Sequence, residues 1–366
     1  MNISEAVIYL VSCAVDEKIP EKAVVNEMDL KQVYSFASEH MLSAAVAMAL
    51  EDAGFRDERS SRVISAALRK ISVLETEKNM VLQKLEEAKI WYMLLKGAIM
   101  KDFYPRAGMR EMSDYDILFD APRAEDVKTI MESLGFFTSA FDFGFHNEDG
   151  YYKKPVTLFE MHRSLFGARH GKIICDYYKD IKNRLIRDDN TQYSFHFTPE
   201  DFYIYLVAHE YSHYSAGGTG LRSLLDVYVF LKNHELDWLY IESEISKLEM
   251  SDFEKANHQL ALNLFTRKAL TDKEKKMLDY ILASGTYGST MSMQLNAGQK
   301  IAEYGRLKYF MKRLTLPYSQ MLEEYPVLKK APYLYPFYWL SRLLIRGLFF
   351  RRKQLIAQLK ALLNLE

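Results

Sequence analysis

Two aspartates separated by one residue inside an apolar strand pattern constrain this chain more than any other feature. They lie in the segment SDYDILF, where Asp114 and Asp116 alternate with Tyr115, Ile117 and Phe119. Side chains alternate across a strand, so both carboxylates should point to one face and the three apolar side chains to the other. An isolated buried charge is costly, so a positive group should meet this face. A divalent cation, Mg²⁺ or Mn²⁺, suits two carboxylates because it prefers oxygen ligands and offsets their mutual repulsion.

The segment before the aspartates has the composition of a phosphate-binding turn. An apolar run ends at Lys96-Gly97, a helix-like piece GAIMKDFY follows, and Arg110 comes shortly before the two acids. A helix N-terminus can bind phosphate through its free amides, and Gly97 lets the backbone approach an anion closely. Lys96 and Arg110 add positive charge. We therefore expect a phosphate group to bind at these three residues.

A third acid follows on the next predicted strand, PVTLFEMH. Glu160 in this strand is the candidate third metal ligand, with Glu148 and Asp149 as alternatives. His162 lies two residues after Glu160 and therefore on the same face of the strand, which makes it a candidate pocket histidine.

A different motif lies on a later helix, in the segment VAHEYSHYSAGG. His209-Glu210-x-x-His213 is the zinc peptidase signature, because two histidines one turn apart share a helix face that can bind Zn²⁺. The extended form of the signature would need a third histidine where Thr219 stands. Downstream acids such as Glu235 could serve instead, but they lack the usual sequence context.

The same histidines have a second interpretation. His209 and His213 would line the pocket opposite the metal-binding carboxylates. Arg222 and Asp226, one turn apart on the following helix, would either pair with each other or reach that pocket.

Length and hydrophobic pattern predict an α+β chain with more than one core, since 366 residues exceed the usual size of a single one. Helical periodicity fills residues 1–84, short strands alternate with helices over 85–200, and helical periodicity returns over 201–366. We take these ranges as an N-terminal helical region, an α/β core with a small mixed sheet and flanking helices, and a C-terminal helical region.

The cysteines and the apolar runs bear on localisation. Cys13 and Cys175 lie far apart and give no disulfide framework, which favours a cytoplasmic protein. The first apolar run lacks the basic start of a secretory signal peptide, and no uncharged stretch has the length of a transmembrane segment.

Charge is unevenly distributed along the chain. Residues 301–366 contain twelve Lys and Arg against four Glu, so the first 300 residues carry a net charge of −9 within a total of −1. This basic C-terminal segment would either pack on the acidic body or contact an anionic partner or membrane surface. Basic and aromatic residues do not interleave as in a single-strand binding surface, so we do not expect nucleic acid as a partner.

The order of these motifs resembles the nucleotidyltransferase superfamily of the DNA polymerase β type. More specifically, the Leu-Lys-Gly turn, the Arg-x-x-Ser-Asp-x-Asp strand, FEMH, the His-rich helix ahead of GLRSLLDVYVFL, and LPYSQMLEEYP resemble a family of uncharacterised bacterial nucleotidyltransferases. The resemblance covers the chain from about residue 80 onward. The Gly-Ser of the superfamily is Gly97-Ala98 here, so a serine hydroxyl that would touch phosphate is missing.

The resemblance implies transfer of an NMP from an NTP to an acceptor, with release of pyrophosphate. Asp114 and Asp116 would hold Mg²⁺ or Mn²⁺, and Glu160 would complete the acceptor-side metal or take the acceptor's proton. The triphosphate would bind at a set of four residues: Lys96, Gly97, Arg110 and Ser113. The acceptor, a small molecule or a protein, is left open. Two alternatives stand beside this reading: a non-catalytic nucleotide-binding or partner-binding protein, suggested by Gly97-Ala98, and the zinc peptidase.

Overall fold

Helices precede and follow a six-stranded sheet along the chain. In this computed structural model the described residues are 1–138, 147–154, 157–285, 318, 321–322 and 325–342. Five helices come before the sheet: α1 Ile3–Val15, α2 Lys22–Asn26, α3 Leu30–Glu39, α4 Ser43–Asp52 and α5 Glu58–Glu87. Three short helices are inserted between the strands: α6 Lys96–Met100, α7 Ala124–Ser133 and α8 Lys172–Tyr177. The helices after the sheet are α9 Pro199–Ala216, α10 Leu221–Asn233, α11 Trp238–Lys247, α12 Ser251–Phe265, α13 Asp272–Ser284 and α14 Tyr335–Arg342.

The sheet is mixed, with both parallel and antiparallel neighbours. Its strands are β1 Tyr92–Leu94, β2 Tyr115–Phe119, β3 Glu148–Lys153, β4 Thr157–His162, β5 Ile186–Arg187 and β6 Ser194–His196. They are ordered β3-β4-β2-β1-β6-β5. The pairs β2–β4 and β1–β6 are parallel, and the other three pairs are antiparallel. The fold is therefore α+β, as the sequence predicts.

Local sequence signals explain where the principal helices begin. The long helix α5 starts at a capping box, in which the Asp57 side chain accepts a hydrogen bond from the Ser60 amide. The helix α9 starts after Thr198, whose hydroxyl accepts from the Asp201 amide, and Pro199 occupies its first turn. These caps fix the direction in which each helix leaves the preceding loop.

Two hydrophobic clusters form the core. The smaller one packs β2 and β4 against α5 and α7, and it contains Tyr115, Ile117 and Phe119. The larger one joins the N-terminal helices α1 and α4 to α9, α10 and α12. Alternation along β2 is thereby confirmed, because its odd-numbered side chains enter the smaller cluster while Asp116 faces the other way. The predicted boundaries after residues 84 and 200 stay a prediction.

Element positions differ from the sequence-based expectations in two places. The strand β2 begins at Tyr115, so Asp114 is the residue just before it. The strands β5 and β6 were not anticipated, because each is only two or three residues long.

Within the described ranges, no helix is both long enough and apolar enough to cross a membrane. Most of the basic C-terminal segment, including residues 343–366, and most of LPYSQMLEEYP lie outside the described residues.

Two glycines test how tightly the helices around the large cluster are packed. Gly218 has a φ of +104°, and a Cβ there would lie 2.1 Å from the Ser284 Cβ, whereas Gly171 has a φ of +95° with nothing within 4 Å. Gly171→Ala should lower the free energy of unfolding by about 1 to 2 kcal/mol through backbone strain. Gly218→Ala should lower the free energy of unfolding by about 1 to 3 kcal/mol more than Gly171→Ala, because its new Cβ is also overpacked. Urea unfolding followed by tryptophan fluorescence measures both; equal losses would contradict the close contact.

Candidate active site

One cavity of about 750 Å³ is bordered by the polar face of β2 and β4 on one side and by α9 and α10 on the other. All the site residues that the sequence singles out line this cavity: Lys96, Gly97, Arg110, Ser113, Asp114, Asp116, Glu160, His162, His209, His213, Arg222 and Asp226. They come from six separate stretches of the chain. The fold therefore gathers residues that the sequence could place only in order.

Parallel pairing of β2 and β4 brings the acidic group together. Asp116 lies directly opposite Glu160 in the register of these strands, so their side chains share one face. His162 follows on that face, with Nε2 3.1 Å from Asp116 Oδ1 and 3.9 Å from Glu160 Oε2. Ligand atoms of these three residues all lie within 4.8 Å of one another. Such a group can hold a metal ion.

The three-residue group differs from the expected one in one member. The sequence predicts Asp114, Asp116 and Glu160 as ligands, whereas the tight group has His162 with the latter two. Asp114 lines the same cavity one residue before β2, and the Ser113 side chain hydrogen-bonds to its carboxylate. The position before the strand explains the difference, because Asp114 is not held in the sheet register that aligns Asp116 with Glu160.

The carboxylates perturb one another strongly. Burial, followed by the charges of Asp116 and Asp114, raises the pKa of Glu160 to about 7. Burial and the charge of Asp116 also raise the pKa of Asp114. Burial works in the same direction on Asp116, but the Lys96 ammonium and the hydrogen bond from His162 outweigh it, so the pKa of Asp116 is lowered. Asp116 is therefore compensated by neighbouring positive and hydrogen-bonding groups, whereas Asp114 and Glu160 have too little positive charge around them.

Lys96 and Gly97 follow β1 and open the short helix α6. The Leu95 amide bonds to the Asp116 carbonyl at 3.0 Å, which holds this turn against β2. A Cβ on Gly97 would lie 3.1 Å from Arg110 Nη1. Gly97 therefore allows the arginine to pass close to the backbone. Because α6 has only five residues, most of the positive charge here comes from the Lys96 and Arg110 side chains rather than from a helix dipole.

Arg110 forms a buried ion pair with Asp226 of α10. Arg110 Nε and Nη2 donate to Asp226 Oδ1 and Oδ2, both at 2.8 Å, and the Tyr104 hydroxyl donates to Oδ1 at 2.7 Å. The expected alternative, a pair between Asp226 and Arg222, does not form, because the planar fork of Arg110 fills both carboxylate oxygens. Arg222 Nη1 instead donates to the Glu111 carbonyl at 3.0 Å.

The His-Glu-x-x-His motif has two neighbours that a zinc peptidase would not place there, Lys96 on His209 and Asn257 on Glu210. His213 Nε2 lies 3.0 Å from His209 Nε2, and His209 also contacts Lys96 Nζ. Burial raises the pKa of Glu210 to about 8, and its Oε2 accepts from Asn257 Nδ2 at 2.7 Å. A carboxyl that stays protonated at neutral pH is a poor general base. In the part of the chain that the structure describes, these histidines join no metal-binding group.

The surroundings of His209 and His213 also keep these two side chains neutral. Burial, with the nearby Lys96 charge, lowers the pKa of His213 to about 4 and that of His209 well below its ordinary range. The α9 side of the cavity therefore offers uncharged imidazoles, while the β2 and β4 side offers carboxylates.

Several cavity residues carried no usable signal in the sequence. Arg169 donates to Glu148 Oε1 at 3.1 Å, and both line the cavity with His170 and Tyr205. Arg169 and His170 belong to a short polar loop without a periodic pattern, and Tyr205 is one of many tyrosines. Of these residues, the sequence analysis names only Glu148, as an alternative to Glu160, and in the structure Glu148 pairs with Arg169.

Comparison with known families agrees with this geometry. Residues 26–266 match the family described as "Uncharacterised nucleotidyltransferase". The chain belongs to this family. The match confirms the resemblance drawn from the sequence and supports nucleotidyl transfer as the general class of activity. No curated protein and no solved structure matches the chain.

The raised pKa of Glu210 predicts how the stability of the protein depends on pH. Its pKa rises from an ordinary 4.5 to about 8 on folding. The stabilisation from the bound proton is complete below the unfolded pKa and is lost as pH rises through the folded one. Glu210→Gln should remove this loss, so its advantage over wild type should grow by on the order of a few kcal/mol between pH 5 and pH 8.

Urea unfolding at pH 5, 6, 7 and 8 measures this difference. Exposed Glu235 provides the control, since Glu235→Gln should change stability by the same small amount at every pH. A stability difference between Glu210→Gln and wild type that does not vary with pH would show that Glu210 is ionised in the folded protein.

Proposed function

We propose that this protein is a divalent-metal-dependent nucleotidyltransferase that moves an NMP from an NTP to an acceptor and releases pyrophosphate. One observation carries the proposal: Asp116 and Glu160 face each other across parallel strands, at a cavity that Lys96 and Arg110 also line. Carboxylates beside cationic side chains suit a substrate that brings both a metal ion and a triphosphate.

The donor set fits Mg²⁺ or Mn²⁺. Asp114, Asp116 and Glu160 supply oxygens, His162 supplies a nitrogen, and the last three members of this set lie close together. Burial and the acidic neighbours raise the pKa of Glu160 to about 7. This raised pKa indicates that a positive charge placed among these carboxylates would be favourable. A bound divalent cation would stabilise negative charge on the attacking and leaving oxygens.

The side chains of this protein would bind and orient the two substrates. Lys96 neutralises charge on the triphosphate, and Gly97 leaves room for it beside the backbone. Arg110, which is paired with Asp226, donates hydrogen bonds to the triphosphate from the edge of its guanidinium that does not face Asp226. An acceptor oxygen or nitrogen forms a bond to the α-phosphorus as the bond to the β-phosphate bridging oxygen breaks. Pyrophosphate takes that bonding electron pair. The acceptor's proton passes to Glu160, whose raised pKa of about 7 suits a proton acceptor near neutral pH.

Isothermal titration with ATP, CTP, GTP and UTP in the presence of Mg²⁺ or Mn²⁺ tests the site. Wild type should bind at least one NTP in a metal-dependent way. Asp116→Asn and Glu160→Gln should each abolish metal-dependent binding, because the remaining ligands are too few to hold the ion. Asp188→Asn, which removes a carboxylate outside the cavity, should bind like wild type. Unchanged binding by both cavity variants would refute the proposal.

Turnover separates the enzyme from a nucleotide-binding protein of the same fold. Incubation of the protein with the bound NTP, Mg²⁺ and a cell extract as a source of acceptors should release pyrophosphate. The release should disappear in Asp116→Asn. Metal-dependent NTP binding with no release from any extract would favour the non-catalytic alternative.

A further inference from the structure

Two arginines border the cavity next to Asp226, and only one of them has its charge neutralised. The charge of Arg110 is neutralised, because its Nε and Nη2 both donate to the Asp226 carboxylate. The Tyr104 hydroxyl takes a further position on the same carboxylate. Asp226 is thereby committed to Arg110 and Tyr104.

Arg222, which is the second residue of α10, is held only by neutral acceptors. Its Nη1 donates to the Glu111 carbonyl and the Met41 sulfur, each at 3.0 Å. Its Nε is buried and has no hydrogen-bond partner among the residues described. Over the same ranges, no carboxylate lies within salt-bridge distance of it, whereas Arg110 has one such carboxylate and Arg184 has two.

A guanidinium in this setting favours an anion. Burial, followed by the charge of Arg110, lowers the pKa of Arg222, but a guanidinium stays protonated in proteins. A buried charge without a counter-ion is unfavourable, and a ligand oxygen that accepts from the guanidinium would recover part of this cost. The contacts to Glu111 and Met41 hold the side chain in place before the ligand arrives.

We propose that Arg222 binds the terminal phosphates of the nucleotide, as a subsite built from the C-terminal helical region rather than from the sheet. This inference rests on the proposed function. Arg222 lies close enough to Asp114 and Arg110 for their charges to interact, and Arg110 passes beside Gly97. Because the triphosphate is expected at Gly97 and Arg110, this position favours phosphates of the NTP over those of an acceptor. On the same side of the cavity, α9 carries neutral His209 and His213, which attract anions less than a guanidinium does.

The test compares ligands that differ in their terminal phosphates. Binding of pyrophosphate, ATP and AMP, each with Mg²⁺, is measured by isothermal titration for wild type, Arg222→Gln and Arg222→Lys. Arg222→Gln should weaken pyrophosphate and ATP binding at least about tenfold, the usual effect of losing a hydrogen bond between charged groups. AMP binding should be unchanged. Arg222→Lys should lose less, because it keeps the charge without the planar fork.

Arg106→Gln is the matched control for loss of one positive charge. Arg106 pairs with Asp52 at the surface and does not line the cavity, so pyrophosphate binding should stay as in wild type. Thermal unfolding adds a second readout. Without ligand, Arg222→Gln should lower Tm by no more than about 2 °C, because the change removes an unpaired charge and keeps a hydrogen-bond donor. Pyrophosphate should raise the Tm of wild type and not that of the variant.

The outcomes separate this inference from the proposed function. Wild type that binds no NTP would overturn both. Wild-type binding of ATP together with equal pyrophosphate affinity in Arg222→Gln would overturn the phosphate subsite alone. An equal loss of AMP binding would place Arg222 at another part of the nucleotide, and a large fall in the ligand-free Tm would make its role structural; either result refutes the subsite.

Discussion

The parallel pairing of β2 with β4 is the constraint on which the candidate site depends. It sets Asp116 opposite Glu160 at a fixed separation and leaves Asp114 and His162 beside them. Like charges held this close, partly out of water, repel each other, and burial together with this repulsion raises the pKa of Glu160. The fold tolerates it because the opposite face of the same strands packs into a hydrophobic cluster containing Tyr115 and Phe159. Hydrophobic packing on one face of these strands therefore holds the mutually repelling carboxylates together on the other face.

The second wall of the cavity belongs to a different part of the core. The helices α9 and α10 pack with α1, α4 and α12 in the larger cluster, and they present His209, His213, Arg222 and Asp226 to the sheet. The Arg110–Asp226 ion pair and the Tyr104 hydrogen bond cross from the sheet region to α10. The site therefore combines a carboxylate wall and an imidazole wall whose separation is fixed by buried polar contacts.

Sequence pattern alone predicted the α+β class, most helices, and the face of β2 that carries Asp116. It did so because period-two alternation, apolar helical spacing and capping residues are local properties. The pattern predicts the order of the site residues along the chain, but it does not predict which of their side chains contact one another. Whether Asp226 bonds to Arg110 or Arg222 depends on how α10 is placed against the segment before β2, which is a long-range property. The same holds for His162 joining Asp116, and for Glu210 turning to Asn257 rather than serving His209 and His213. The strands β5 and β6 were too short to leave a pattern.

The buried bond between Arg110 and Asp226 also bears on how this sequence can diverge. Loss of either partner alone would strand the other charge away from water, at a cost of about 3 to 5 kcal/mol. Joint replacement by uncharged residues of similar volume would avoid that cost. Although 116 positions separate them along the chain, the two residues should behave in evolution as one heritable unit that is kept or exchanged together.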